Sequence, residues 1–247
     1  MTFQEECASL APLETFDPAA FQADLKTPQS LCNFVLALAL IYNDCKDTIG
    51  ARVMLIQSKP EGEYRVNRIW GTYYGMDLHL LRLFISLLHE LFALIRDNRE
   101  VLDHPLMIEV IRQLRANARA AWNELVNVAL DATPKSELGR ALLLIRNKVL
   151  FHYDPKCLFI GHSHHFLGQD RIQDRAFVSR GLSMSQSRFY FADAAVQGYL
   201  HQTIGKDNWD DFIKNAAELF EQLNVSLLSI VDRFIQKRGF AYRAAPE

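Results

Sequence analysis

Apolar side chains recur at helical spacing over most of this chain, and the residues between the runs mark where each helix starts and stops. The first strong run, TPQSLCNFVLALALIYNDCKDTIG, opens at Thr27 as a candidate N-cap with Pro28 behind it, and predicts a helix that extends past Cys45, with the polar NDCKD as its weakest stretch. SKPEGEY, at 58–64, is the clearest interior loop. A second long helix follows over about 66–101, and its middle, LHLLRLFISLLHELFALI, is apolar on nearly every side, the mark of a helix covered by neighbours or by a second chain. Asp103, His104 and Pro105 punctuate the next start, after which Ile108, Ile111, Ala118, Trp122, Leu125 and Ala129 return at helical spacing. Thr133 and Pro134 repeat the cap-then-proline signal and open a helix that ends near Asp154.

After Asp154 the period is lost. PKCLFIGHSHHFLGQD carries glycines and histidines without a helical stripe, and RAFVSRGLSMSQSRFYFAD sets two short apolar runs around a Gly/Ser-rich middle, which predicts a hairpin or an ordered excursion. A short helix near 193–203 and a long one from Asn208 close the chain, the latter with a stripe through Phe212, Ala216, Leu219, Leu223, Leu227, Ile230 and Phe234. The first 26 residues are polar and broken by Pro12 and Pro18, an arm with one short helix at most. The pattern predicts an all-α bundle of four to five long helices with an irregular insertion near 155–192 that includes the candidate β-hairpin. No repeat or linker divides it, so 1–247 reads as a single domain, long enough at 49% hydrophobic residues to bury a sizeable core.

Composition narrows the function classes. The N-terminal MTFQEECASLAPLETFDP has no basic start and no apolar core, so no secretory signal is read and a cytoplasmic location is expected. The longest uninterrupted apolar run, FVLALALIY, is shorter than the ~20 residues that cross a bilayer, so no membrane span is expected. Cys7, Cys32, Cys45 and Cys157 are scattered without a paired spacing, which argues against a zinc knuckle or a disulfide scaffold. Net charge is only −2, yet residues 135–190 hold nine basic side chains against four acids and four of the eight histidines. A basic, His-rich third on an acidic body points to a phosphate-bearing partner.

One stretch in that third concentrates chemistry. RNKVLFHYDP, residues 146–155, puts a guanidinium, an amide, an ammonium, an imidazole, a phenol and a carboxylate at a predicted helix end. At about 100° per residue, Leu138, Ala141, Leu142, Ile145 and Val149 share one face, His152 continues it, and Arg146 and Lys148 flank the imidazole on either side. Helix ends favour His, Lys and Arg for their interaction with the dipole, and Asp-Pro is a common stop, so the same residues also read as ordinary termination.

Arg146, Asn147 and His152, in this order at the end of a helix in an all-α chain, resemble the signature of the HEPN superfamily. The resemblance covers a few per cent of the chain. It implies a helical bundle acting as a metal-independent endoribonuclease without a cofactor, usually as a homodimer that brings two copies of the motif together. On that reading Arg146 and His152 are catalytic, and Asn147, Lys148 and Tyr153 support them. Arg171 and Arg175 are the expected RNA contacts, with an antitoxin or regulatory partner as in toxin and antiphage systems. The alternative is a non-catalytic helical adaptor or regulatory protein that binds RNA or protein and uses the stretch as a cap or an interface.

Other motifs carry less. GHSHHF at 161–166 is weighed as a metal cluster against loop histidines that are solvated or near phosphate, and lacks a carboxylate or thiolate partner motif. His89-Glu90 lacks the second histidine of a zincin helix, Gly181 follows no phosphate-loop pattern, and the glycosylation-like NVS at 224–226 falls within a predicted helix.

Overall fold

Several helix starts in this chain are set by side chains that accept from the first free amide groups. In a computed structural model that describes residues 11–63, 65–132, 136–150, 154–167, 171–173, 175–205 and 208–244, the chain is all-α, as its pattern predicts. The longer helices among the described residues are α1 (Gln29–Gln57), α2 (Arg68–Asp97), α3 (Pro105–Arg112), α4 (Ala116–Asp131), α5 (Glu137–Leu144), α6 (Pro155–Phe166), α7 (Tyr190–Ile204) and α8 (Trp209–Lys237). Asn67 caps α2 by accepting from Ile69 N at 2.9 Å and Trp70 N at 3.0 Å. His104 caps α3, with Pro105 behind it where no amide is needed. Thr133 and Pro134 lie outside the described residues; within them α5 begins at Glu137, with Ser136 Oγ accepting from Gly139 N at 3.1 Å.

The segment after Asp154 begins as a helix and not as irregular chain. Asp154 is the N-cap of α6, accepting from Lys156 N at 3.0 Å and Cys157 N at 3.4 Å, and Pro155 occupies the first turn. Asp-Pro therefore starts a helix here. Gly161, read as a loop residue, sits inside α6 because the helix there is pressed against α7: a Cβ on Gly161 would run into Ala195 O and come 2.6 Å from Tyr199 N. Gly198 on α7 is the reciprocal, its added Cβ meeting Gly161 O. Beyond α6 the insertion is irregular and contains the expected hairpin contact, Ser179 and Arg188 exchanging backbone hydrogen bonds at 2.9 Å.

Two compact units divide the chain, the partition cutting α1 after Asp47, α2 after His89 and α8 after Ala216. The first unit (1–47, 90–132, 217–247) buries Leu31, Phe34, Leu38, Phe92, Met107, Leu125, Leu227 and Phe234. Arg96 donates to Ala129 O and Ala132 O, covering the free carbonyls at the end of α4. Arg238, 7% exposed, donates to Gln22 O at 2.7 Å and pairs with Asp24 at 3.1 Å, which ties the end of α8 to the N-terminal segment. That segment also pairs as β1 (Glu14–Thr15) against β2 (Arg243–Ala244). The second unit (48–89, 133–216) buries Phe84, Ile85, Leu88, Leu142, Ile145 and Leu200, with Arg52 held to Asp77 at 2.7 Å.

The apolar middle of α2 is covered within one chain: over 78–95 only His79 is exposed. This helix is long and apolar enough to cross a membrane by length and composition, and half of its most apolar stretch is buried inside the chain.

Candidate functional site

The stretch singled out by its chemistry begins in a change of helical geometry. Residues Ile145–Leu150 leave the α-helical pitch and form a π turn, with hydrogen bonds closing one residue further along. Ala141, Leu142 and Ile145 are buried as their spacing predicts, but Arg146, Asn147 and Lys148 all lie in the wider turn, where a constant 100° step no longer gives their bearing. Such turns recur at functional sites because they aim side chains that a regular helix would misdirect. His152 and Tyr153 lie outside the described residues.

Each of the three polar residues in the turn has a partner. Arg146 Nη1 donates to Asn147 Oδ1 at 2.8 Å, so the amide holds the guanidinium. Lys148 Nζ reaches back to Asp154 Oδ2 at 2.8 Å. The hydrogen bond to Lys148 keeps the Asp154 carboxyl below its usual range, and the same bond raises the Lys148 ammonium. Lys148 thus secures the carboxylate that caps α6, a positional role, and Asp154 N closes the corner by donating to Lys148 O at 3.1 Å. Beyond the cap, Tyr199 of α7 is pushed up to about 12 by burial and by the nearby Cys157 thiol.

The expected RNA contacts are placed apart from this corner in the chain. Arg171 and Arg175 are both exposed in the irregular segment that follows α6. His162, His164 and His165 sit on α6 and not in a loop: His162 packs on the Phe166 ring at 5.0 Å and His165 is buried. Among the described residues no three His, Cys, Asp or Glu side chains gather as metal ligands.

The second unit also contains a cavity of about 840 Å³ that no sequence motif marks. The first turns of α2 form one wall, Ile172, Gln173, Phe177, Val178 and Ser179 another, and Tyr190, Asp193 and Gln197 of α7 a third. Close approach is made possible by two glycines four apart: a Cβ on Gly71 would come 2.7 Å from the Tyr190 ring, and one on Gly75 would come 2.6 Å from Asp193 Oδ2. The Tyr190 hydroxyl lies 3.1 Å from Ser179 Oγ and 3.3 Å from Arg68 O, fixing the excursion to α2. Arg188 neutralises Asp193 at 2.9 Å. His165, 2% exposed, lines the cavity without a hydrogen-bond partner on either ring nitrogen. Burial pulls its pKa below the usual histidine range, against the opposing pull of the Gln173 side chain. The sequence signal for this site was GTYYG: two glycines on one helix face cost about 1 kcal/mol each relative to alanine unless something packs on them.

Comparison with protein-family models, with curated proteins and with solved structures finds no match to this chain. The functional reading rests on the geometry and the motif.

Proposed function

We propose that this chain is a metal-independent endoribonuclease of the HEPN type, cytoplasmic and homodimeric, acting in a toxin or antiphage setting. The observation that supports it most is the Arg146 guanidinium held by Asn147 at 2.8 Å on a π turn, an arginine oriented before any substrate arrives. In the proposed reaction the RNA 2'-hydroxyl loses its proton to a base and its oxygen attacks the adjacent phosphorus; the P–O5' bond breaks and the 5'-oxygen takes a proton from an acid. His152 of one copy serves as base or acid and its counterpart in the second copy as the other. Arg146 meets the charge that grows on the phosphorane, and Lys148 keeps the corner in place through Asp154. With α2 covered inside one chain, the homodimer rests on the motif and its need for a second histidine.

Purified protein incubated with single-stranded RNA tests this directly. Cleavage is expected in the presence of a chelator, leaving 2',3'-cyclic phosphate ends, and falling about 100-fold or more in His152→Ala and in Arg146→Ala. Unchanged cleavage in His152→Ala, or activity that a chelator abolishes, overturns the reading. A complete lack of cleavage with retained RNA or protein binding favours the non-catalytic adaptor.

A further inference from the structure

We propose that the excursion between α6 and α7 docks on a membrane surface that carries anionic lipid, inserting Leu182 and Met184 while its arginines meet the headgroups. The inference is independent of RNA cleavage and concerns residues other than Arg146 and His152.

The excursion is anchored at its base and bare at its apex. At the base Ser179 and Arg188 exchange backbone hydrogen bonds at 2.9 Å, and the Tyr190 hydroxyl lies 3.1 Å from Ser179 Oγ and 3.3 Å from Arg68 O. Arg188 is held there by Asp193 of α7. At the apex Leu182 is 103% exposed and Met184 95%, so the rest of the chain covers neither side chain. Phe189, 59% exposed, stands beside the base. Apolar side chains scattered singly on a surface are ordinary, but two at the apex of an anchored hairpin form a wedge with something to enter.

The backbone of the apex favours lipid over a protein edge. Gly181 N donates to Ser187 Oγ and Leu182 N to Gln186 Oε1, both at 3.0 Å. Gln186 N donates to Ser183 O, and Ser187 N to Met184 O. The Ser187 hydroxyl donates in turn to Gly181 O, and the Ser183 and Ser185 hydroxyls pair at 2.9 Å. A partner that adds a strand needs free amides and carbonyls, and these are engaged within the loop. An apolar layer needs the opposite, polar backbone groups satisfied inside the segment that enters it. Gly181 permits this closure, because a Cβ there would meet Gln186.

Charge supplies the second attraction. Residues 171–189 include four arginines and one acid, Asp174. Arg175 and Arg180 are exposed and make no ion pair among the described residues. An apolar wedge or a cluster of cations alone holds a bilayer weakly, and the two together hold it firmly. The arginines by themselves suit an RNA backbone equally well. Leu182 and Met184 do not, since neither offers a ring on which a base can stack, and RNA would leave the apex in water.

Flotation of the full-length protein with vesicles of phosphatidylcholine, alone or with about one-third phosphatidylserine, tests the proposal. Binding is expected to the anionic vesicles only, weakening as salt rises. Leu182→Ser combined with Met184→Ser should lower vesicle affinity by about tenfold or more at an unchanged melting temperature, because both side chains are exposed. Arg180→Glu should lower it by about as much. Leu182→Trp should float like wild type, and its added emission should shift to the blue and be quenched by lipids brominated in the acyl chain, which a purely electrostatic contact does not produce. The proposal is overturned if folded wild-type protein does not float with anionic vesicles, or if the double serine variant binds them like wild type. It is equally overturned if Leu182→Trp floats with its added emission unchanged. A single-stranded oligoribonucleotide that displaces the protein from vesicles, and whose own binding falls as far in the double serine variant, would assign the apex to RNA and overturn it too.

Discussion

Gly161→Ala tests the packing of α6 against α7. The added Cβ would meet Ala195 O and lie 2.6 Å from Tyr199 N and 2.8 Å from Tyr199 Cβ. The first two obstacles are main-chain atoms of α7, which cannot rotate aside as the end of a side chain can, so the two helices must part. Overpacking of this kind costs about 1–3 kcal/mol, and rigid backbone partners put it at the upper end. Alanine inside a helix returns about 1 kcal/mol through its better propensity. The net is a loss of about 2 kcal/mol, which for a chain of this size lowers the melting temperature by about 4–8 °C.

Thermal melts by circular dichroism, with urea titrations at constant slope, measure the effect. Gly75→Ala is the comparison. Its added Cβ meets Arg188 Nη2 and Asp193 Oδ2, the ends of two flexible side chains, so the change in stability should stay within about 1 kcal/mol. Gly198→Ala should cost about as much as Gly161→Ala, and the double variant less than the sum, because helices already separated by one methyl have room for the other. A Gly161→Ala protein as stable as wild type, or more stable, would mean that only propensity changed and that α6 does not lie against α7.

Three further outcomes follow from the same structure. Asp154→Ala should lose about 1 kcal/mol with the α6 cap, whereas Asp154→Asn keeps the cap and loses only a partly exposed ion pair, so its melting temperature should stay closer to wild type; the reverse order refutes the capping role. Because the folded pKa of His165 is lowered, the unfolded chain binds more protons just below pH 6.5. The stability contribution of neutral His165 is therefore complete above that pH and lost as pH falls toward the folded pKa, by no more than about 1.4 kcal/mol per pH unit. His165→Phe should flatten that part of the melting profile, and an identical slope in the variant refutes the assignment. Light scattering at micromolar concentration should return twice the 28.3 kDa chain mass if two copies share the site, and a monomer removes the shared site.

The long helices were legible because one face of each is apolar over many turns, and α1 runs to Gln57 past the polar NDCKD because Cys45 and the residues around it stay on a helical track. The helix at 155–166 was hidden for a physical reason. Its apolar residues do not form a stripe, since Gly161 and His165 occupy its packed side, and a buried histidine or glycine registers as polar or as a breaker in any pattern of hydrophobicity. The cavity was hidden more deeply. It is assembled from the N-terminal turns of α2, the end of α6, the excursion and α7, none of which shows a motif of its own, and only the spacing of Gly71 and Gly75 hinted that something approaches α2 there.

At the corner after α5 the sequence and the structure part in an instructive way. A constant step of about 100° correctly buried Ala141, Leu142 and Ile145, then failed at the residue where the chemistry begins, because hydrogen bonds from Ile145 onward span one more residue. The wider turn brings Arg146 within reach of its own neighbour Asn147 and leaves Lys148 free to bridge to Asp154, six residues on. One carboxylate therefore holds Lys148 of the π turn and starts α6 through its cap. A substitution at Asp154 cannot act on α6 alone; it also releases the lysine that braces the turn holding Arg146. If Arg146 is the group that meets the phosphate, loss of Asp154 should lower the cleavage rate further than it lowers stability, and Asp154→Asn, which preserves the cap but weakens the brace, should retain the fold while losing rate.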